Sequence, residues 1–558
     1  MASIVGALLL LACETPSASP PADLVLTGGK IWTADSRQPE AEAVAIWQDK
    51  ILAIGPDEQI KAHIGPDTRV VRLEGRRVVP GFGDSHVHLL SGGLQLRSVD
   101  LKDARDEAEF GARLREFARK LPPGRWLLGG NWDHDRTFGG KLPTAAMLDR
   151  YVPDRPCLLR RYDGHMALVN SRTLQLANIG EAAPDPAGGQ IMRDPRTRQP
   201  TGLLRDTAMS LVDDLIPPLN DEELAAAVGA ALDHARRMGV TSLDDMAGLA
   251  AGERRRLFRC YQRLATEQQL TARIHLRWPL EAWRELAELG LRAKFGGPWL
   301  TIGGLKGFCD GSLGSSTAKM WQPYLNEPQS TGVFVTSPPR LAELVTAADN
   351  AGLAVAVHAI GDHANSAALH AFAAAAETNG PRDRRFRIEH AQHVRPDDFE
   401  RFRTGEVIAS MQPYHVIDDG RWAEGRIGRE RCATSYAFRS FLDHGVRLAF
   451  GSDWPVAPLD PLLGIDAAVN RRTLDGRHPE GWYAQQRISV TEALQAYTLG
   501  SAYALRREHE LGSLMPGKLA DLVALSRDIF DEAERDRIAE TTVVLTIVGG
   551  RVVFEAAE

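Results

Sequence analysis

Four histidines and one aspartate in this sequence each close a short apolar run. His86 and His88 end VVPGFGDSHVH, His358 lies in LAVAVHAIGD, His390 in FRIEHAQ, and Asp453 follows LAFGS in VRLAFGSDWP. Imidazole nitrogens and carboxylate oxygens are the donors that hold a zinc-type divalent ion. Along an extended strand, side chains two apart point the same way, so His86 and His88 can face one ion. Such an ion polarises a carbonyl and lowers the pKa of a bound water to about 7. A carboxylate beside it takes the water's proton and passes it to the leaving group, the role expected of Asp453. Lys306, in GGLKGFCDG, is a different donor. An unmodified ammonium repels a metal or pairs with a carboxylate such as Asp310, beside a one-metal site at His86 and His88. A lone histidine at a strand end is more often a hydrogen-bonded core residue. Four of them and an aspartate, all at strand ends, are not explained by packing.

The elements that must position these residues alternate. Apolar strand runs are separated by helical stretches such as DEELAAAVGAALDHARRMG and PPRLAELVTAADNAG, the pattern of a parallel sheet with crossover helices. The strand candidates are VVPGFGDSHVH, GVTSLDDM, ARIHLRW, LTIGGLKGFCD, LAVAVHAIGD, FRIEHAQ, VIASMQP and VRLAFGSDWP. Eight strands favour a closed (β/α)8 barrel, whose active sites are built at the carboxyl ends of its strands. The stretch from Leu89 to about Asn220 is far longer than one βα loop needs and reads as an insertion after the first barrel strand. The two ends of the chain share another style. DLVLTGGKIWTAD and AEAVAIWQDKILAIG near the start, and GKLADLVALSRD and TVVLTIVGGRVVFEA near the end, are β-branched runs broken by turn residues. Residues 23–77 and 508–558 are therefore expected to form one small β-domain, with a barrel over residues 78–507 between them.

Composition excludes several classes. A chain that is 44% hydrophobic and 25% charged buries a large core, so global disorder is excluded. A net charge of −7 with no basic run argues against a nucleic-acid partner. The five cysteines include no CxxC pair, which argues against a disulfide framework and a thiolate zinc site. Residues 1–22 differ from the rest. IVGALLLLA (Ile4–Ala12) is too short to span a bilayer and has the size of a signal-peptide core. It ends in LLAC at Cys13, like the lipobox of bacterial lipoproteins, and a Pro/Ser-rich tether follows. The expectation is an exported protein, periplasmic or membrane-anchored through lipid on Cys13, against a soluble cytoplasmic one.

PGFGDSHVH, VHAIGD, RIEHAQ and FGSDWP, with EALQAYTLGSAYAL and GSLMPGKLADLVAL, resemble the amidohydrolase superfamily. DGHMALVNSRTL, GLKGFCDGSLGSSTA, SMQPYH and GSDWPV narrow this to its amidohydrolase-3 (YtcJ-like) branch. The resemblance runs from about Asp23 to the end. It implies an α/β fold, a distorted TIM barrel joined to a composite β-sandwich, and hydrolysis of C–N bonds in small N-acyl or N-formyl amides. It implies that His86, His88, His358, His390 and Asp453 are metal ligands or their immediate partners. It also implies a carboxylated Lys306 bridging two zinc ions, because binuclear relatives carry such a lysine after the fourth strand. Homodimers are known among relatives. A deaminase, cyclic amidase or esterase on the same barrel is the alternative, and a non-catalytic binding lipoprotein a remoter one. Trp132, Asp133, Asp163 and His165 lie in motifs like those of this branch. His165 is either an oxyanion donor or a structural cap of the next helix, and Trp132 either an apolar wall or core. Asp310, His363 and Gln412 are further candidate substrate contacts, and His393 and His415 candidate partners of the ligands.

Overall fold

The computed structural model describes residues 20–161, 166–186, 188–246 and 251–557. The leader with Cys13, and the candidate residues Asp163 and His165, lie outside these. The chain divides into two compact units. One holds the chain up to Val87, Ala235–Met246 and everything from Leu270; the other holds His88–His234 and Ala247–Gln269.

The first unit contains all eight expected barrel strands. They are β1 (Phe82–Val87), β2 (Val240–Asp245), β3 (Arg273–Pro279), β4 (Leu300–Phe308), β5 (Ala354–Ala359), β6 (Arg387–His390), β7 (Ile408–Met411) and β8 (Leu448–Phe450). Each pairs in parallel with the next in chain order. A parallel bridge between Val87 and Trp454, just beyond β8, brings the two ends of the sheet together. Nearly every residue of these strands is buried, as expected for strands covered on both faces. Helices Pro338–Asn350, Asp362–Asn379 and Pro396–Thr404 are among the crossovers. In the first of these, Leu341, Leu344, Val345 and Ala348 are buried at the spacing of one helical face.

The same unit carries two smaller sheets. Leu24–Thr27, Ala43–Trp47, Lys50–Gly55 and Arg69–Arg72 form one of four strands. The other has six strands and joins the two ends of the chain, with Arg77–Pro80 antiparallel to Leu522–Leu525. Leu24, Leu26, Val44 and Ile46 from the first share an apolar cluster with Ile31, Val78, Leu522 and Ile547 from the second. The second unit is built on a six-stranded mixed sheet that includes Leu127–Trp132, Cys157–Arg161 and Met166–Val169. Phe110, Leu114, Trp132, Leu148 and Leu159 make its core. Among the described residues, Cys157, Cys260, Cys309 and Cys432 are buried free thiols, and no helix is long and apolar enough to cross a membrane.

Candidate metal centre

Carboxyl ends of separate barrel strands bring the candidate ligands together. His86 is the fifth residue of β1, Lys306 the seventh of β4, His358 the fifth of β5 and His390 the last of β6; Asp453 stands three residues beyond β8. The donor atoms of His86, His390 and Asp453 all lie within 4.8 Å of one another. An Asp453 carboxylate oxygen is 3.5 Å from His86 Nε2, and Lys306 Nζ is 3.3 Å from the same nitrogen. The His358 ring packs edge-on against His390, with centroids 4.6 Å apart. β1 ends at Val87, so the alternation of a strand places His86 but does not extend to His88. His88 is the N-cap residue of helix Leu89–Leu96 and the first residue of the second unit.

Backbone conformation contributes to the cluster. His390 and Asp453 both have positive φ, 73° and 60°, a region that non-glycine residues enter at a cost and that concentrates at functional sites. The Asp453 backbone N–H donates to the His86 carbonyl at 2.7 Å, which pins the segment after β8 to β1. Gly451 makes that approach possible: a Cβ there would lie 2.5 Å from the His86 nitrogen and 2.7 Å from Asp84 Oδ1. Asp84 in turn accepts from the Ser452 hydroxyl at 2.5 Å and from the backbone N–H of His86. Burial pushes its carboxyl up to about 7.

Each imidazole is held in one tautomer. His86 Nδ1 donates to Glu389 Oε2 at 2.7 Å, leaving the Nε2 lone pair toward Asp453 and Lys306. His390 Nδ1 donates to Gln412 Oε1 at 2.7 Å, which leaves its Nε2 free to ligate. His358 Nε2 donates to the Gly311 carbonyl at 3.0 Å, so its lone pair is on Nδ1. Burial lowers the His86 pKa to about 4 and that of His358 to about 3, with Lys306 adding to both shifts. Burial likewise holds His390 well below its ordinary value. The three rings are neutral at pH 7 and present lone pairs. Burial also lowers the Lys306 amine to about 8. Oriented neutral imidazoles beside a buried carboxylate form a nitrogen and oxygen donor set that fits a zinc-type ion.

The remaining candidates serve other contacts. Gln412 is buried and spends its carbonyl oxygen on His390. Asp310 does not pair with Lys306; its oxygens accept from the backbone N–H groups of Lys319 (2.8 Å), Ile360 (3.0 Å) and Gly361 (2.8 Å). It thereby ties the loop after β4 to the one after β5. His363 stacks on Trp321 with centroids 3.6 Å apart, and Phe334 meets its edge. His393 donates to or accepts from Ser435 Oγ at 2.6 Å, and His415 lies parallel to His390, 6.4 Å away. Trp132 is fully buried in the core of the second unit, its indole N–H donating to the Leu159 carbonyl at 2.8 Å. Asp133 caps helix His134–Phe138 by accepting from the Asp135 N–H.

Sequence reading passed over Glu389 and Arg387, which orient His86. The available signal was charge at alternate positions of a buried strand: Arg387 and Glu389 in FRIEH, and likewise His275 and Arg277 in RIHLRW.

The chain is similar to several known proteins. The chain is 41% identical to the Protein LONG AFTER FAR-RED 3 of Arabidopsis thaliana, over 97% of this chain and 93% of that protein. It is 33% identical to the putative amidohydrolase YtcJ of Bacillus subtilis, over 95% and 98%. It is 27% identical to an N-substituted formamide deformylase of Arthrobacter pascens, over 96% and 98%. A crystal structure of a metal-dependent hydrolase from Pyrococcus furiosus superposes with a TM-score of 0.75 at 32% identity, covering 91% of this chain and all of that one (100%). The model of the amidohydrolase family matches residues 69–554, and with the barrel and its buried donor cluster this establishes that the chain belongs to the amidohydrolase family and is a metal-dependent hydrolase.

Proposed function

We propose that this hydrolase cleaves the C–N bond of a small amide, an N-acyl or N-formyl compound, with Asp453 as general base and then general acid. The observation that carries the reading is the buried His86–His390–Asp453 cluster, in which the imidazoles are neutral and oriented by Glu389 and Gln412. The likeness to a formamide deformylase supports the N-formyl choice. His86, His88, His358, His390, Asp453 and a carboxylated Lys306 are the residues that would hold two zinc ions. When bound, such ions supply a Lewis acid for the amide carbonyl and lower the pKa of water to about 7. Asp453 accepts the proton of the attacking water and delivers it to the departing nitrogen. The Lys306 amine, lowered by burial to about 8, has the neutral fraction needed to add to carbon dioxide, releasing a proton and leaving a carbamate. Export with lipid on Cys13 remains part of the proposal. It rests on the apolar run Ile4–Ala12, the LLAC motif and the Pro/Ser-rich stretch after it, and is tested by fatty-acid labelling of the wild type and Cys13→Ser.

Elemental analysis of the purified protein, followed by a panel of N-formyl and N-acyl amides, tests the reading. Two ions per chain with chelator-sensitive amide turnover is the expected result. One ion per chain returns Lys306 to an ammonium and moves deaminase substrates to the front. No metal, even after reconstitution with zinc at neutral pH, overturns the mechanism.

A further inference from the structure

Barrels of this kind are ordinarily filled by layers of branched apolar side chains. Here a column of charge crosses the interior. Asp244 of β2, Arg277 of β3, and Arg387 and Glu389 of β6 are each no more than 2% exposed. β2 and β6 stand on opposite sides of the eight-strand order, so a contact between them traverses the barrel. Arg387 Nη1 lies 2.7 Å from Asp244 Oδ2, an ion contact outside hydrogen-bond alignment. Arg277 Nε donates to both Asp244 oxygens, at 2.8 and 2.9 Å.

Both arginines reach onward to the metal centre. Arg387 Nε donates to Glu389 Oε1 at 2.5 Å, and Glu389 Oε2 receives His86 Nδ1. Arg387 Nη2 donates to the Ser85 carbonyl at 2.8 Å, one residue before His86. Arg277 Nη1 reaches the Leu305 carbonyl at 3.4 Å, one residue before Lys306. A single carboxylate thus anchors two arms, one ending at His86 and the other beside Lys306. Its own strand contributes no candidate ligand.

Stability does not explain such a column. Removing charges from water costs several kcal/mol per ion, and well-packed apolar residues often replace a buried ion pair without loss. Orientation does explain it, because partners behind metal-ligating imidazoles fix their tautomer and direction. We propose that Asp244 is a positioning residue of the metal centre, holding His86 through Arg387 and Glu389 and the backbone at Lys306 through Arg277. The inference rests on reading His86 and Lys306 as metal ligands.

The test is zinc affinity of the full-length apo protein, titrated against a chromophoric chelator, with thermal melts of the same metal-free samples. Wild type, His86→Ala, Asp244→Asn and Asp244→Glu are compared. Asp244→Asn should bind zinc about 10–100-fold more weakly than wild type, while its metal-free form still melts in one cooperative transition. Asp244→Glu, which keeps the charge, should recover part of the loss. Zinc affinity within about twofold of wild type for Asp244→Asn overturns the role, provided wild type binds zinc and His86→Ala does not. If wild type binds no zinc, the metal-centre reading itself fails. Should Asp244→Asn not fold, Arg387→Lys decides by the same criterion, since it keeps the charge but loses the fork that joins Asp244, Glu389 and Ser85.

Discussion

Two groups of metal-type side chains occur among the described residues, and they are built differently. His86, His390 and Asp453 stand at or just beyond the ends of three different barrel strands, β1, β6 and β8, and all are buried. Asp133, His134 and Asp135 are consecutive in the second unit, with side chains 30%, 20% and 70% exposed. In the first group each imidazole donates its other nitrogen to a fixed acceptor, Glu389 or Gln412. In the second, Asp133 is occupied as a helix cap. Arg161 Nε donates to His134 Nδ1 at 3.3 Å, and its guanidinium lies 3.9 Å from Asp133 and 4.0 Å from Asp135. A cation already stands among those donors. Proximity of His and Asp therefore does not make a metal centre; burial and partners that aim the lone pairs do.

Four measurements break or sharpen that contrast. The largest effect is expected from Asp453→Asn, which leaves the fold and removes the base. Its kcat/KM on the best amide found should fall about 10²–10⁴-fold, and activity within tenfold of wild type would place the proton transfer elsewhere. Gln412→Leu removes the acceptor of His390 Nδ1 without touching a ligand. Zinc affinity should drop about 10–100-fold by chelator competition; an unchanged affinity would mean that orientation is not what separates the two groups.

A third measurement isolates burial from metal binding. Burial lowers the His393 pKa to about 3, against 6.5 when unfolded. Below pH 6.5 the unfolded chain takes up a proton that the buried ring does not, so this residue costs the folded state stability as pH falls toward 3. The stability advantage of wild type over His393→Gln in urea unfolding of metal-free protein should shrink by roughly 2 kcal/mol between pH 7.5 and 5. A pH-independent difference would contradict the burial effect. The smallest effect is expected from Asp135→Asn. Zinc content should stay at the wild-type value and stability within about 0.5 kcal/mol, whereas loss of an ion by elemental analysis would make the second group a true site.

Much of this was legible beforehand, for local reasons. The eight strand runs, their alternation with helices, and the histidines and aspartate at the strand ends follow from apolar periodicity and residue type, which neighbours in sequence suffice to reveal. One local detail was not legible: β1 stops at Val87, and His88 stands at the N-cap position of helix Leu89–Leu96.

By itself, then, the sequence determined the barrel and the residue types that stand at its strand ends, because both are written in short-range pattern. Only the tertiary structure decided what lies behind those residues. Glu389 behind His86, Gln412 behind His390, and Asp244 between Arg277 and Arg387 are contacts between different strand segments, 22 to 303 positions apart in the chain. A charged residue in a strand has no sign of its own. Whether it is an exposed solvating group, a costly defect or a device for aiming a ligand is set by the partner that burial forces it to find.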